Sequence, residues 1–166
     1  MITLRPERSS DEAPIRSLVN AAFGGTAHGQ LVDLIRERGN ARIAVCGEED
    51  GRQVGYVVVS PMAFKPAISL DCLAIGPVAV VPDRQNSGVG SALMTRIIDL
   101  AKTEGIDALL LLGHPAYYPR FGFAPTHIDN QYGATDAFMA LELKAGCLEG
   151  VQAKGLFVRE FFEVDV

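Results

Sequence analysis

Gln85-Asn86-Ser87-Gly88-Val89-Gly90 sets a polar run and two glycines, spaced Gly-x-Gly, directly before small and apolar residues that open a helix. The first turn of a helix leaves backbone N–H groups without partners and carries the positive end of the helix dipole. Glycine removes side-chain bulk, so an anion such as a phosphate can reach those donors. The same spacing also makes a tight strand-to-helix turn with a glycine packed on a sheet. These six residues alone leave both readings open. Two other phosphate loops are excluded by residue type: no lysine follows the glycines as G-x-x-x-x-G-K-[ST] requires, and Leu93 stands where G-x-G-x-x-G needs its third glycine.

A second concentration of chemistry is Tyr117-Tyr118-Pro119-Arg120-Phe121-Gly122-Phe123. A phenol can donate a proton, and it can equally pack beneath a turn with its hydroxyl bonded locally. If this segment is helical, its adjacent residues point about 100° apart, so the two tyrosines should not both face one reacting atom. The remaining candidates are scattered. His28, His114 and His127 form no H-E-x-x-H or Cys/His grouping, and Cys46, Cys72 and Cys147 are far apart, so no metal is expected and the thiols read as reduced.

Composition narrows the classes further. The 166 residues suit one domain, 1–166, with 48% hydrophobic and 21% charged residues, which is globular rather than disordered. A formal charge of −5 argues against a nucleic-acid partner, whose phosphates need a basic face. Neither the first residues, MITLRPERSSDEAPI, nor any later run is apolar enough for a signal segment or a bilayer span. A cytoplasmic location without membrane attachment is the expectation.

These groups must be positioned by secondary structure. Residues 2–5 alternate as a short strand. Ile15, Leu18, Val19 and Phe23 mark one amphipathic helix, and Leu31, Val32, Leu34 and Ile35 a second, with 23–30 (FGGTAHGQ) as a flexible connection. Residues 41–46 and 54–60 read as an antiparallel hairpin, 61–68 as a proline-punctuated connection, and 71–81 as a long fourth strand. Val89, Leu93, Ile97 and Leu100 form one stripe of a helix over 88–102, with Gly105 at its end. Residues 106–112 read as a central fifth strand, 114–121 as a short turn or helix, and 138–143 and the 156–166 tail as two last strands. The order predicts a mixed α/β domain.

The glycine segment extends into a longer pattern. Val80-x-Pro82, then Gln85, Gly88 and Gly90, resembles V-x-P-x-x-[RQ]-x-x-G-x-[GA], the acetyl-CoA-binding signature of the GNAT superfamily of N-acetyltransferases. Tyr118-Pro119-Arg120-Phe121-Gly122-Phe123 resembles the family's Tyr-x-x-x-Gly-Phe segment, and the wording from His114 to Phe123 is similar to the YhbS-like branch of predicted acetyltransferases. The order of elements agrees over nearly the whole chain, and residues 75–123 match closely.

The resemblance implies a GNAT-like fold: a mixed, mostly antiparallel sheet of about six to seven strands flanked by helices, whose splayed parallel pair holds CoA. It implies that Val78 and Val80 pair their backbone with the pantetheine arm, a backbone N–H near Val80 polarising the thioester. Gln85, Asn86, Ser87, Gly88, Val89, Gly90 and Ser91 would hold the pyrophosphate, and Tyr118 would be the acid that protonates the departing thiolate. The implied activity is N-acetylation of a primary amine, small molecule or peptide, by direct attack on acetyl-CoA in a ternary complex. The general base is open between Asp71, His114 and a water chain, because the fourth strand holds no glutamate. The family's usual Asn after the fifth strand is also missing. Substrate entry is expected at 23–30, and the oligomer is expected to be a monomer or homodimer. A longer acyl-CoA donor, or a CoA-binding module without catalysis, are the alternatives.

Overall fold

Runs of β-branched residues such as Val57-Val58-Val59 favour extended backbone, and glycines and prolines cut those runs into strands. The computed structural model describes residues 1–166. Its strands are β1 (Thr3–Pro6), β2 (Ile43–Glu49), β3 (Arg52–Lys65), β4 (Cys72–Val80), β5 (Ala108–Leu112), β6 (Ala124–Pro125), β7 (Asp129–Asn130), β8 (Phe138–Glu142) and β9 (Lys154–Leu156). The helices are α1 (Glu12–Phe23), α2 (Ala27–Glu37) and α3 (Val89–Thr103). The sheet runs β1-β2-β3-β4-β5-β8-β6, while β9 pairs with the far end of β3 and with β7. Along the main path every pair is antiparallel except β4 and β5.

That parallel pair is short, joining Cys72, Leu73 and Ala74 to Ala108, Leu109 and Leu110. Beyond Ala74 the two strands part. The cause lies in the β3–β4 register, which moves from Val57↔Val78 to Val59↔Ile75, so Gly76 and Pro77 together face Val58. Such a bulge bends the strand that carries it. Pro77 has no N–H to give to a neighbour, and Gly76 supplies a φ of 139°. β4 therefore stays with β3 up to Val80, and a gap opens between β4 and β5.

The core has two parts. In the larger, α1 and α2 contribute Ile15, Leu18, Leu31 and Ile35, and α3 contributes Leu93 and Ile97, all packed on the sheet. Met62, Phe64, Leu110, Phe138 and Phe157 anchor the smaller. The start of α3 is held very close to β3. A Cβ on Gly55 would come within 2.6 Å of Val89 Cγ1 and 3.0 Å of Leu93 Cδ1, so only glycine permits this approach. The glycine turn is thus fixed against the sheet on one side.

Two expectations need correction. Residues 61–65 are not a connection: β3 continues through Pro61 to Lys65, its ladder passing from β4 to β9 at Ala63↔Leu156. Buried Met62 and Phe64 alternate with exposed Ala63 and Lys65, the period of a half-buried strand. The tail forms only the three-residue β9 and then a 3-10 turn over Arg159–Phe162. Glu160 draws that turn onto the end of α2, accepting hydrogen bonds from Arg38 at 3.1 Å and Asn40 at 2.8 Å.

Candidate active site

Val81 donates its N–H to Val54 O of β3 at 2.9 Å. Backbone groups alternate sides along a strand, so Val78 and Val80 turn theirs to the opposite edge, into the gap. Their side chains share one face, while Ala79 between them is buried. After β4 the chain makes a 3-10 turn at Pro82–Arg84 and a bend over 85–88. Gln85 Nε2 donates to Val80 O at 3.1 Å, and Ser87 Oγ donates to Arg84 O, so both side chains brace the bend. Asn86 and Gly88 have φ of 61° and 92°, left-handed backbone that turns successive N–H groups to one side. From Asn86 to Ser91 no N–H donates to a backbone carbonyl, and the α3 ladder begins only with Ala92 N to Gly88 O. Six consecutive amides at the positive end of a four-turn helix are thus left without a backbone partner.

Asn86, Gly88, Gly90 and Ser91 of this bend line a cavity of about 430 Å³. Every residue expected at the site lines it except Ser87 and Val89. Ser87 is turned to Arg84, and the Val89 side chain is buried in the core, so each can offer only its N–H. The sequence reading missed Arg84 and Arg120, which also line the cavity, although the Arg84 guanidinium is ion-paired with Glu49. Arg120 lies 4.3 Å over the Tyr117 ring and donates from Nε to Tyr117 O at 2.8 Å. Two arginines beside a polar, glycine-rich bend are a legible signal.

Both tyrosines line the cavity, against the expectation that adjacent residues diverge. Tyr117 precedes the 3-10 turn that begins at Tyr118, and the rings stand at 87° to each other with centroids 5.0 Å apart. Their hydroxyls differ in situation. Tyr117 shares a hydrogen bond with Ser91 Oγ at 3.0 Å, closing against the first turn of α3. Tyr118 is largely buried, and burial, with Tyr117 beside it, pushes its pKa above the usual phenol value. Its ring also lines a second cavity.

The second cavity, about 250 Å³, meets the first at Val78 and Tyr118. Phe23, His28, Tyr132, Phe157 and Phe161 form much of its wall. His28 stacks on Phe23 with centroids 3.8 Å apart, and burial lowers its pKa below the ordinary 6.5. The segment expected as an entry loop is mostly helix. Only 24–26 connect α1 to α2, and His28 lies in the first turn of α2. This cavity was not foreseen, because its aromatic residues come from α1, from the 131–137 loop and from the tail.

Neither proposed carboxylate nor imidazole base reaches either cavity. Asp71 precedes β4 at the end remote from the gap, roughly 20 Å along the strand from Val78 at about 3.3 Å per residue. It is half-exposed, with Arg42 3.6 Å away. His114 is exposed, and its Nδ1 accepts from Ala116 N at 3.5 Å.

A parallel strand pair that parts at a bulge, with an amide-lined bend opening the next helix, defines a class. The chain belongs to the acetyltransferase (GNAT) family, which it matches over residues 13–123, and it is an N-acetyltransferase. Among curated proteins it is 33% identical to the uncharacterized N-acetyltransferase YjhQ of Escherichia coli K12, over 75% of this chain and 71% of that protein. It is 30% identical to the uncharacterized N-acetyltransferase YhbS of the same organism, over 89% and 91%. The crystal structure of E. coli YhbS in complex with CoA superposes with a TM-score of 0.91 at 27% identity, covering 97% of this chain and 92% of that one. A GNAT acetyltransferase from Brucella melitensis in complex with acetyl-CoA gives 0.83 at 28% identity, covering 97% and 98%.

Proposed function

We propose that the protein transfers the acetyl group of acetyl-CoA to a primary amine by direct attack, with both substrates bound at once. The observation that carries this is the meeting of two chemically different cavities at Tyr118. One has the amides and the arginine that suit a pyrophosphate; the other is apolar and suits an acceptor. The amides of the bend before α3, with Arg120, hold the phosphates. The gap-facing backbone of Val78 and Val80 takes the pantetheine arm as a strand edge would, and one of its N–H groups hydrogen-bonds the thioester oxygen as it gains charge.

The amine nitrogen forms a bond to the carbonyl carbon, the C–S bond breaks, and the sulfur leaves with the electron pair. The Tyr118 hydroxyl donates a hydrogen bond to that sulfur. A thiol has a pKa of about 8.5 and a phenol about 10, and Tyr118 is raised further, so full transfer from phenol to thiolate runs uphill. The hydroxyl therefore acts through a hydrogen bond that strengthens as charge develops. The surplus proton on the acylated nitrogen leaves by way of His28, the imidazole lining that cavity, or water, and the thiolate takes a proton from water on release, which balances the step.

Thiol release from acetyl-CoA in the presence of amines tests the reading. Tyr118→Phe should lower kcat by about 10²–10⁴-fold and leave acetyl-CoA affinity within twofold. Unchanged kcat would remove Tyr118 from the chemistry.

A further inference from the structure

The acceptor cavity has an unusual wall for an enzyme that handles cations. No Asp, Glu, Lys or Arg side chain lines it, and its titratable side chains are His28, Tyr118 and Tyr132. The rest is apolar, and the aromatic residues present flat faces and edges. His28 and Phe23 are stacked at 6°, and Tyr132 meets Phe157 edge-on at 5.5 Å and 72°. Apolar surface continues outward, because Phe23 and Tyr132 are exposed at 43% and 42%.

A polyamine or aminoglycoside would bring several ammonium groups into this space. Each would lose hydration, and against several charges the wall sets no carboxylate side chain and a single main-chain carboxylate, at Val166, which disfavours entry. A monoamine faces that problem once. Its single nitrogen must shed its proton to react in any case, and a cation passing the aromatic rim is attracted by the ring faces. Its apolar body then gains by burial against the wall, with ring-on-ring contacts adding selectivity. The 250 Å³ accommodates a side chain of one ring and a short linker.

Resting on the assignment of this cavity to the acceptor, we propose that the substrate class is the aralkylamines: primary monoamines carried on an aromatic body. The test uses the full chain with saturating acetyl-CoA, thiol release and product mass. The panel is 2-phenylethylamine, tryptamine, spermidine, kanamycin and a lysine peptide, with acetyl-CoA binding measured by calorimetry in parallel. The expected kcat/KM for 2-phenylethylamine exceeds that for spermidine by at least about 10-fold, the scale on which hydrophobic pockets discriminate. Phe23→Glu, at the exposed end of α1, should lower the 2-phenylethylamine value about 10-fold and raise that of 1,4-diaminobutane, with acetyl-CoA affinity unchanged.

Preferred turnover of spermidine, kanamycin or the lysine peptide overturns the acceptor class and leaves acetyl transfer intact. An amine-independent release of thiol that is faster from hexanoyl-CoA than from acetyl-CoA also overturns it, by placing an acyl chain in the cavity. Failure to bind acetyl-CoA overturns the underlying reading instead.

Discussion

Gly113 immediately follows β5, and the Tyr118 ring lies directly over it. A Cβ at this position would sit 2.7 Å from Tyr118 Cδ2 and closer still to Cε2, where ordinary contact begins at 3.4 Å. The Gly113 backbone is not left-handed, so Gly113→Ala adds bulk without backbone strain. The ring must therefore yield by at least about 0.7 Å at Cδ2 and by more at Cε2. It has room to do so, because it borders two cavities. A misplacement of about 1 Å in a reacting group can cost on the order of 10²-fold in rate. Gly113→Ala should then reduce kcat about 10²-fold, while acetyl-CoA binding, governed by the bend at 85–91, stays within twofold. Stopped thiol-release assays and calorimetry give the two numbers, and thermal melting checks that overpacking costs no more than about 1–3 kcal/mol. A cycle with Tyr118→Phe isolates the cause, because a glycine acting only through the ring should have almost no further effect once the hydroxyl is gone. Full activity in Gly113→Ala, or an undiminished penalty in the Tyr118→Phe background, would refute the reasoning.

Three other outcomes are expected. Gly88→Ala meets no steric obstacle but puts a Cβ at φ 92°, so it should weaken CoA binding about tenfold, matching the about 1–2 kcal/mol cost of left-handed backbone; calorimetry reads it. Arg5 donates to both oxygens of nearly buried Asp11 at 2.7 and 2.8 Å and holds its pKa down at about 2, against 3.8 ordinarily. A carboxyl depressed on folding contributes stability above its unfolded value and loses it as pH falls, so melting temperature should drop between pH 4 and 2, and Asp11→Asn should cost about 3 kcal/mol at pH 7 and flatten that drop. Because burial raises the Tyr118 pKa above 10, the phenol stays protonated through neutral and mildly alkaline pH, and kcat should show no alkaline loss from this group below pH 10.

The parts of the molecule legible in its sequence are those whose signals are local. The bend before α3 could be read because glycines, a helix stripe and the preceding Val80-x-Pro82 occur within some twenty residues. The strands themselves followed from their lengths and turn residues, while the parallel pairing of the fourth and fifth was implied only by the family resemblance. The continuation of β3 was lost because Pro61 and Pro66 outweighed the alternation of Met62, Ala63, Phe64 and Lys65. A proline is tolerated at Pro61 because its nitrogen lies on the β2 side, past the last β2 pair at Ile43↔Val59, where no ladder hydrogen bond is lost. β6 and β7, at two residues each, carry no period to detect. The acceptor wall was beyond local reading: Tyr132 and Phe157 meet only because β7 pairs with β9, a contact no spacing announces.

β3 also has a consequence for how the molecule comes apart. Its first half, including Val54, Tyr56 and Val59, belongs to the larger cluster, and its last residues, Met62 and Phe64, belong to the smaller. Neither cluster can melt without pulling the shared strand from the other, so the chain should unfold in one cooperative step. Amide hydrogens in the middle of β3 should then exchange with solvent only through that global opening, the slowest in the protein.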